Sequence, residues 1–178
     1  MGRSKLPDFD AERPPELSGL PILSQLLDAP GQEHSTHAQV ALAFGERSRS
    51  RLRVDCVVRR HNGSQEAMTA GIVLARGSII RGGRWVCGET LAVQVLAADE
   101  DLIEVRADPA DSQPQLALLK AAYHLGNRHV PLQVEQGLLK LEYDYVLVDM
   151  LVAMGLKVQR RYGPFESEWG AYAQGHAH

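Results

Sequence analysis

The sequence lacks the features that mark secreted, membrane-spanning or nucleic-acid-binding proteins. It has two cysteines among 178 residues, Cys56 and Cys87, and they form neither a disulfide framework nor a CxxC metal pair. No apolar run approaches the roughly 20 residues of a membrane span, and the polar, proline-rich start lacks the apolar core of a secretion signal. The net charge of −3 provides no basic excess for binding nucleic acid. We therefore expect a cytoplasmic protein with no nucleic-acid and no membrane partner.

The motifs of the common enzyme classes are also missing. The sequence contains no G-x-S-x-G nucleophile elbow, no phosphate-binding P-loop and no H-E-x-x-H zinc motif. Neither cysteine lies in a recognisable nucleophile context, so we expect both to be small buried hydrophobic residues on strands. The second half of the chain has no cluster of stacking aromatic residues like that of an RNA-recognition motif. These absences predict a protein that is not an enzyme.

Short runs of strand length dominate the first half of the chain, between about residues 39 and 107, and glycines separate them. His61-Asn62-Gly63 predicts a hairpin because Asn-Gly tolerates the positive φ of a tight turn. Residues 1–36 are rich in proline, and only residues 22–27 have the apolar content for a short helical turn or an edge strand. This half therefore indicates a small β-domain preceded by an N-terminal extension.

A first helix is predicted at the start of the second half. Asp111 or Ser112 can cap it, and Pro114 suits its first turn. Gly126 is expected to end the helix in the left-handed conformation, which costs glycine little. The helix is indicated by three apolar residues at helical spacing, Leu116, Leu119 and Tyr123.

A second helix is predicted between Asp144, its cap, and Gly155, its stop. Its core face consists of Leu147, Leu151 and Met154. Two short strands around residue 137 precede it, and residues 156–161 form a last strand. With a strand at residues 102–105 as the first element, the order becomes β-α-β-β-α-β, which is the ferredoxin-like arrangement.

The predicted fold class is therefore α+β: a small N-terminal β-domain, then a ferredoxin-like βαββαβ domain, then a flexible C-terminal tail. The corresponding segments are an N-terminal extension at residues 1–36, a β-rich domain at residues 37–107, a ferredoxin-like domain at residues 108–164 and the tail at residues 165–178. The tail is expected to be mobile because it has little apolar content.

Histidines are the most informative candidates for chemistry. His129 follows a Gly-Asn turn and precedes Val130-Pro131, so a rigid turn presents its ring at a surface. One imidazole is a weak metal site, but a two-fold dimer axis passing beside it would bring two together. His176 and His178 form a His-x-His at the chain end that could wrap around an ion held elsewhere. The alternatives are a surface histidine without an ion and a solvated tail, and His124 is better explained as a helix-end histidine.

One segment resembles the signature of a known family. Residues 122–133 read Ala-Tyr-His-Leu-Gly-Asn-Arg-His-Val-Pro-Leu-Gln, and this string resembles the urease accessory protein UreE family of nickel metallochaperones. The similarity continues through residues 144–151 and 155–156, and it resumes at Phe165-Glu166 and Gly170-Ala171-Tyr172 before the terminal His-x-His. Looser matches at residues 50–53, 74–77 and 81–83 extend it, so that the resemblance covers roughly residues 36–178.

The resemblance implies a β-domain likened to a chaperone peptide-binding domain and a ferredoxin-like domain for metal binding and dimerisation. It implies a homodimer in which His129 of each subunit binds one shared Ni²⁺ ion, while His176 and His178 complete or supply that site. Zn²⁺ or Cu²⁺ would substitute for the nickel cargo in vitro. The implied partners are the urease apoprotein activation complex and its GTPase accessory protein. Two other functions stay open: a peptide- or partner-binding adaptor without metal delivery, and a general divalent-metal buffer.

The sequence departs from the family pattern in ways that affect metal binding. Some members carry a His-x-His where this chain has Tyr143-Asp144-Tyr145. Phenolic oxygens are poor ligands for Ni²⁺ at neutral pH, so we expect no auxiliary site there. The two-histidine tail predicts a capacity of about one ion per dimer. Ser167 replaces a proline usual in the family, which should loosen the departure of the tail.

A basic cluster lies in the first half of the chain. If the segment from Arg47 to Arg53 is extended, its alternation places four guanidinium groups on one face. Such a face is typical of a solvated outer strand, and the functional alternative is docking to an acidic protein surface. The members of the cluster are Arg47, Arg49, Arg51, Arg53, Arg59 and Arg60.

Overall fold

The computed structural model describes residues 15–59 and 63–168, which fall into two compact units. The first unit contains the described residues up to residue 40 together with residues 49–78 and 84–95. The second contains residues 41–48, residues 79–83 and the described residues from residue 96 onward. Two short segments from the first half of the chain therefore belong to the second unit. The protein is a mixed α+β, strand-dominated structure.

Seven strands form the sheet of the first unit, in the order β1-β5-β4-β3-β7-β6-β2. Only Ser24 separates β1 from β2, yet these strands lie at opposite ends of that order. The sheet is therefore strongly curved, so that residues 22–27 pair with both of its edges. Residues 22–27 are thus edge strands, not a helical turn. After a 3₁₀ turn at Pro15–Leu17 the strands are β1 Ile22–Leu23, β2 Gln25–Leu27, β3 Thr36–Leu42, β4 Arg51–Arg59, β5 Gln65–Val73, β6 Trp85–Cys87 and β7 Leu91–Ala97.

The predicted hairpin is confirmed, because β4 and β5 pair antiparallel over their full length with Arg59 opposite Gln65. Gly63 has the positive φ of 81° that this connection needs. Both cysteines are buried on strands without a disulfide, as expected. Burial raises the pKa of the Cys56 and Cys87 thiols, which keeps them protonated and poorly reactive.

Four antiparallel strands form the sheet of the second unit, in the order β11-β8-β10-β9. The predicted strand at residues 102–105 is part of it, and the element order β8-α2-β9-β10-α3-β11 follows the expected β-α-β-β-α-β pattern. A core of apolar side chains from three strands and the two long helices fills this unit. The elements are α1 Phe44–Arg47, β8 Asp99–Arg106, α2 Pro114–Asn127, β9 Gln133–Glu135, β10 Leu138–Glu142, α3 Tyr145–Ala153 and β11 Lys157–Pro164.

Helix α3 begins and ends as predicted. The Asp144 carboxylate accepts hydrogen bonds from the backbone N–H groups of Val146 (2.7 Å) and Leu147 (3.1 Å), which satisfies two donors that have no partner inside the helix. Leu147 and Leu151 are buried in the core. Gly155 follows the helix with a φ of 82°, a backbone conformation that favours glycine.

We expect Asp144→Ala to lower the free energy of unfolding by about 1 kcal/mol, because two N–H groups at the start of α3 lose their acceptor. Urea denaturation followed by circular dichroism measures this change. Asp149→Ala is the control, since Asp149 is exposed within the same helix and should change stability by no more than about 0.5 kcal/mol. Equal effects of the two substitutions would reject the capping role.

Helix α2 has Pro114 in its first turn, as predicted, but differs from the prediction in its cap and at its C-terminal end. Its cap position is Gln113, with no side-chain cap, and the Asp111 carboxylate instead accepts a hydrogen bond from the Gln113 N–H. The helix continues through Gly126 to Asn127, so the prediction that Gly126 takes the left-handed conformation is wrong. That conformation belongs to His129, three residues later.

The prediction of a mobile tail from residue 165 is wrong for its first residues. Phe165 is fully buried and packs edge-on against Phe44, with 5.3 Å between the ring centroids. Ser167 is buried as well. Local composition carries no signal for this burial, because the apolar residues that pack with Phe165, which are Phe44, Ile79 and Leu102, all lie more than sixty positions away in sequence. His176 and His178 lie outside the described residues.

Candidate metal centre

His129 is presented by an unusual backbone conformation directly after α2. Its φ of 56° makes it the one non-glycine residue with positive φ in the described part of the chain. The turn is closed by the His129 N–H donating to the Gly126 carbonyl (2.9 Å) and the Val130 N–H donating to the Leu125 carbonyl (3.2 Å). Leu125 is completely buried, so the turn is fastened to the core. The backbone of His129 is therefore held in a fixed, uncommon geometry.

The imidazole of His129 is exposed and makes no hydrogen bond or ion pair with another residue of ranges 15–59 and 63–168. The imidazole is consequently available to a ligand from outside this part of the chain. Within the same ranges, no group of three histidine, cysteine or carboxylate side chains is placed to hold a metal ion. His129 is thus a lone but well-presented nitrogen donor.

The other described histidines have different surroundings. His34 is buried in the first unit, where its Nδ1 accepts a hydrogen bond from the Gly31 N–H (2.9 Å). His37 is exposed on β3 with its ring against the edge of Trp85. His124 lies near the end of α2, as expected, and its ring contacts that of Tyr123. His61 lies outside the described residues.

An exposed apolar stripe runs along the helix that leads to His129. The three residues that indicated the helix are not in the core, because Ala121 and Leu125 form the buried side of α2. We call this set the α2 stripe; its exposed fractions are 42% for Leu116, 67% for Leu119 and 66% for Tyr123. Large apolar side chains that line up on one exposed helix face typically mark an interaction surface.

The residues that replace the family's His-x-His have structural roles. Asp144 caps α3, and the Tyr143 ring lies under the Arg160 guanidinium, 4.1 Å from carbon to ring centroid. Arg160 also donates to Asp101 (2.7 Å from Nε), and this hydrogen bond lowers the pKa of the Asp101 carboxyl below its usual value. The geometry thus assigns Asp144 and Tyr143 to a helix cap and an aromatic–cation contact.

The basic cluster does not form the face that its alternation predicted. Arg47 lies in the short helix α1, not on a strand, and it is completely buried. The Glu46 carboxylate accepts a hydrogen bond from the Ala43 N–H (3.0 Å) at the start of this helical turn. Strand β4 begins only at Arg51. Its outward positions are Arg51, Arg53, Asp55, Val57 and Arg59, which is a solvated face with three arginines, and Arg60 lies outside the described residues.

Comparison with known proteins gives consistent matches. Residues 100–178 match the family model described as the C-terminal domain of the UreE urease accessory protein. The chain is 45% identical over 141 residues to urease accessory protein UreE of Cupriavidus necator, covering 79% of this chain and 67% of the relative. It is 42% identical over 153 residues to the protein of that name from Pseudomonas putida, covering 85% and 83% of the two chains. No helix in the described ranges has the length and hydropathy to cross a membrane.

These matches identify the class of protein: the chain is a urease accessory protein of the chaperone type, not an enzyme. Identity above 40% over most of both chains also fixes the family. The chain belongs to the UreE family of urease accessory proteins.

Proposed function

We propose that the protein is a cytoplasmic nickel metallochaperone that works as a homodimer. In this proposal the second unit is a ferredoxin-like dimerisation domain, and His129 of each subunit binds one Ni²⁺ ion at the two-fold axis. The observation that carries it is the exposed imidazole of His129, held by a left-handed backbone at the end of a helix with an uncovered apolar stripe. The ion is delivered to the urease activation complex through its GTPase accessory protein.

A second copy of the chain is the natural partner for the α2 stripe. A two-fold interface uses the same patch on both subunits, so helix α2 would pack against its own mate. His129 follows that helix directly and would approach the axis with it. Two imidazoles would then face one ion, whereas the described part of a single chain holds no group of three such ligands placed for a metal ion.

Imidazole ligands suit a carrier that must release its cargo. Nitrogen donors bind Ni²⁺, Cu²⁺ and Zn²⁺, whereas thiolates select softer ions, and both thiols of this chain are buried. Copper and zinc are therefore expected to substitute for nickel in vitro. Protons compete with the metal for the ring nitrogens, so acidification releases the ion.

The described start of the tail supports a role for His176 and His178. The Glu168 N–H donates to the Leu132 carbonyl (2.7 Å), which places the chain beside the segment that follows His129. His176 follows Glu168 by eight positions, a maximum span of roughly 27 Å. His129 precedes Leu132 by three positions, a span of at most roughly 10 Å. Both tail histidines can therefore reach His129 of the same subunit.

We expect nickel titration to give one ion per two chains, with the dimer mass verified by light scattering. Removing residues 173–178 should weaken affinity by roughly 10- to 100-fold, because tethered ligands act at high effective concentration, while the dimer persists. X-ray absorption should report a lower coordination number. An unaltered isotherm and spectrum after the truncation would reject the tail ligands, and one ion per chain would reject the shared site.

The two alternative functions predict different results for nickel binding and for urease activity after deletion of the gene. An adaptor without metal delivery would bind its partners but no nickel. A general metal buffer would bind nickel, yet deletion of its gene would leave urease activity unchanged when nickel is limiting. Loss of urease activity that added nickel restores supports the metallochaperone.

A further inference from the structure

The two edges of the four-stranded sheet in the second unit differ. Strand β9, at one edge, has three residues, and its Val134 N–H donates to the Glu168 carboxylate (3.4 Å). Strand β11, at the other edge, has eight residues and pairs with β8 along its whole length. Among the residues that the structure describes, no strand pairs with the outer side of β11. The sheet therefore has one short edge that Glu168 partly covers and one long edge that is open.

The backbone of β11 presents hydrogen-bonding groups along this open edge. The Tyr143 N–H donates to the Asp101 carbonyl (2.9 Å), so Asp101 of β8 directs its backbone groups away from β11. These directions alternate along a strand, so Leu102 directs its groups toward β11, where Arg161 lies opposite. Every second residue of β11 then points its N–H and C=O groups outward. These residues are Val158, Arg160 and Tyr162, and the series ends at Pro164, which has no N–H.

Basic side chains line the same edge. Strand β11 contains Lys157, Arg160 and Arg161 and no acidic residue. The first two form ion pairs with Asp108 and Asp101. Arg161 is exposed and has no hydrogen bond or ion pair with any other residue in the described ranges. Like charges on facing strands are destabilising, so this edge disfavours pairing with its own copy and favours a strand of opposite charge.

We propose that the outer edge of β11 binds an extended, acidic segment of a partner protein as a fifth strand of the sheet. Main-chain hydrogen bonds to the three outward-pointing residues provide affinity, and Arg161 selects carboxylate side chains. The α2 stripe belongs to the helix that packs against β10, whereas the helix that packs against β11 is α3. The proposed dimer interface and this edge are therefore on different elements, and the inference does not depend on nickel binding.

A synthetic peptide of seven alternating glutamate and valine residues, blocked at both ends, tests this inference on the metal-free full-length chain. Valine favours the extended conformation, and glutamate supplies the negative charge. We expect the peptide to slow hydrogen–deuterium exchange in residues 157–164 and to leave residues 133–135, at the other edge, unchanged.

Two arginine substitutions test the role of charge in peptide binding, measured by isothermal titration. Arg161→Glu should weaken binding by about 10-fold, because a carboxylate then faces the carboxylates of the peptide. Arg53→Glu is the matched control, since it makes the same change of charge at an exposed strand arginine of the first unit. It should retain the wild-type affinity, and equal effects of the two substitutions overturn the proposal.

Two further peptides separate strand addition from simple charge attraction. The acidic peptide with N-methylated backbone amides keeps its charge but cannot donate hydrogen bonds to β11, and a lysine–valine peptide can pair but has the wrong charge. Each should bind at least about 10-fold more weakly than the acidic peptide. Equal binding of either one overturns the proposal, as does unchanged exchange in residues 157–164. Protection of these residues without peptide, as the chain concentration rises, assigns the edge to a second copy instead.

Discussion

His129→Asn should abolish nickel binding at the shared site and lower the apparent affinity by more than about 100-fold. Loss of a residue that only hydrogen-bonds to a metal ligand typically lowers metal affinity by about 10- to 100-fold. This substitution removes a ligand itself, and it does so in both subunits, so we expect a larger loss. Asparagine is the sharpest choice, since it tolerates the left-handed backbone seen at His129 and lacks the imidazole. Isothermal titration with Ni²⁺ measures the loss, and thermal unfolding verifies that the fold is intact.

His129→Ala should give the same loss of nickel with a small additional decrease in stability, because alanine adopts the left-handed region less readily than histidine or asparagine. His124→Ala is the matched control, since His124 is exposed five positions earlier. It should retain nickel binding. If His129→Asn keeps the wild-type isotherm, the interface site is refuted.

Leu119→Asp should convert the dimer into monomers. Leu119 is the most exposed member of the α2 stripe, so the change costs the isolated chain little. In a two-fold interface it would bury two carboxylates in apolar surroundings, which we expect to weaken dimerisation by at least roughly 100-fold. Analytical ultracentrifugation measures the dissociation constant directly. Nickel affinity should fall with it, because each monomer retains only one of the two His129 imidazoles that share the ion.

Val152→Asp provides the control for this result. Val152 is an exposed apolar residue on the other long helix of the same unit, outside the α2 stripe. It should leave the dimer and its nickel stoichiometry unchanged. Dissociation by Val152→Asp with no effect of Leu119→Asp would place the interface on α3 instead.

Features specified by neighbouring residues were accessible from the sequence. The Asp144 cap, the Gly155 stop and the Asn-Gly hairpin each depend on residues within a few positions, and the structure has all three. The family was also identified correctly from the string around His129. The α+β class followed from the two kinds of periodicity in the two halves of the chain.

Features that depend on distant residues were not accessible. The alternating arginines suggested a strand through Arg47, but the partner that holds its guanidinium, Glu166, lies 119 positions away. Phe165 looked like the start of a mobile tail for the same reason. The left-handed conformation at His129, instead of Gly126, accompanies a helix that continues past the glycine to Asn127 while Leu125 is buried in the core.

The second unit is assembled from three separate stretches of the chain. A gene fragment that begins at residue 96 would therefore encode all four strands and both long helices of that unit, yet omit Arg47 and Arg81. Phe165 would lose its aromatic neighbour Phe44, and the Glu166 carboxylate would face solvent without its guanidinium partners. A chimera that takes residues from position 96 onward from a relative therefore also needs matching residues at positions 41–48 and 79–83. The two halves of the gene are consequently expected to evolve together.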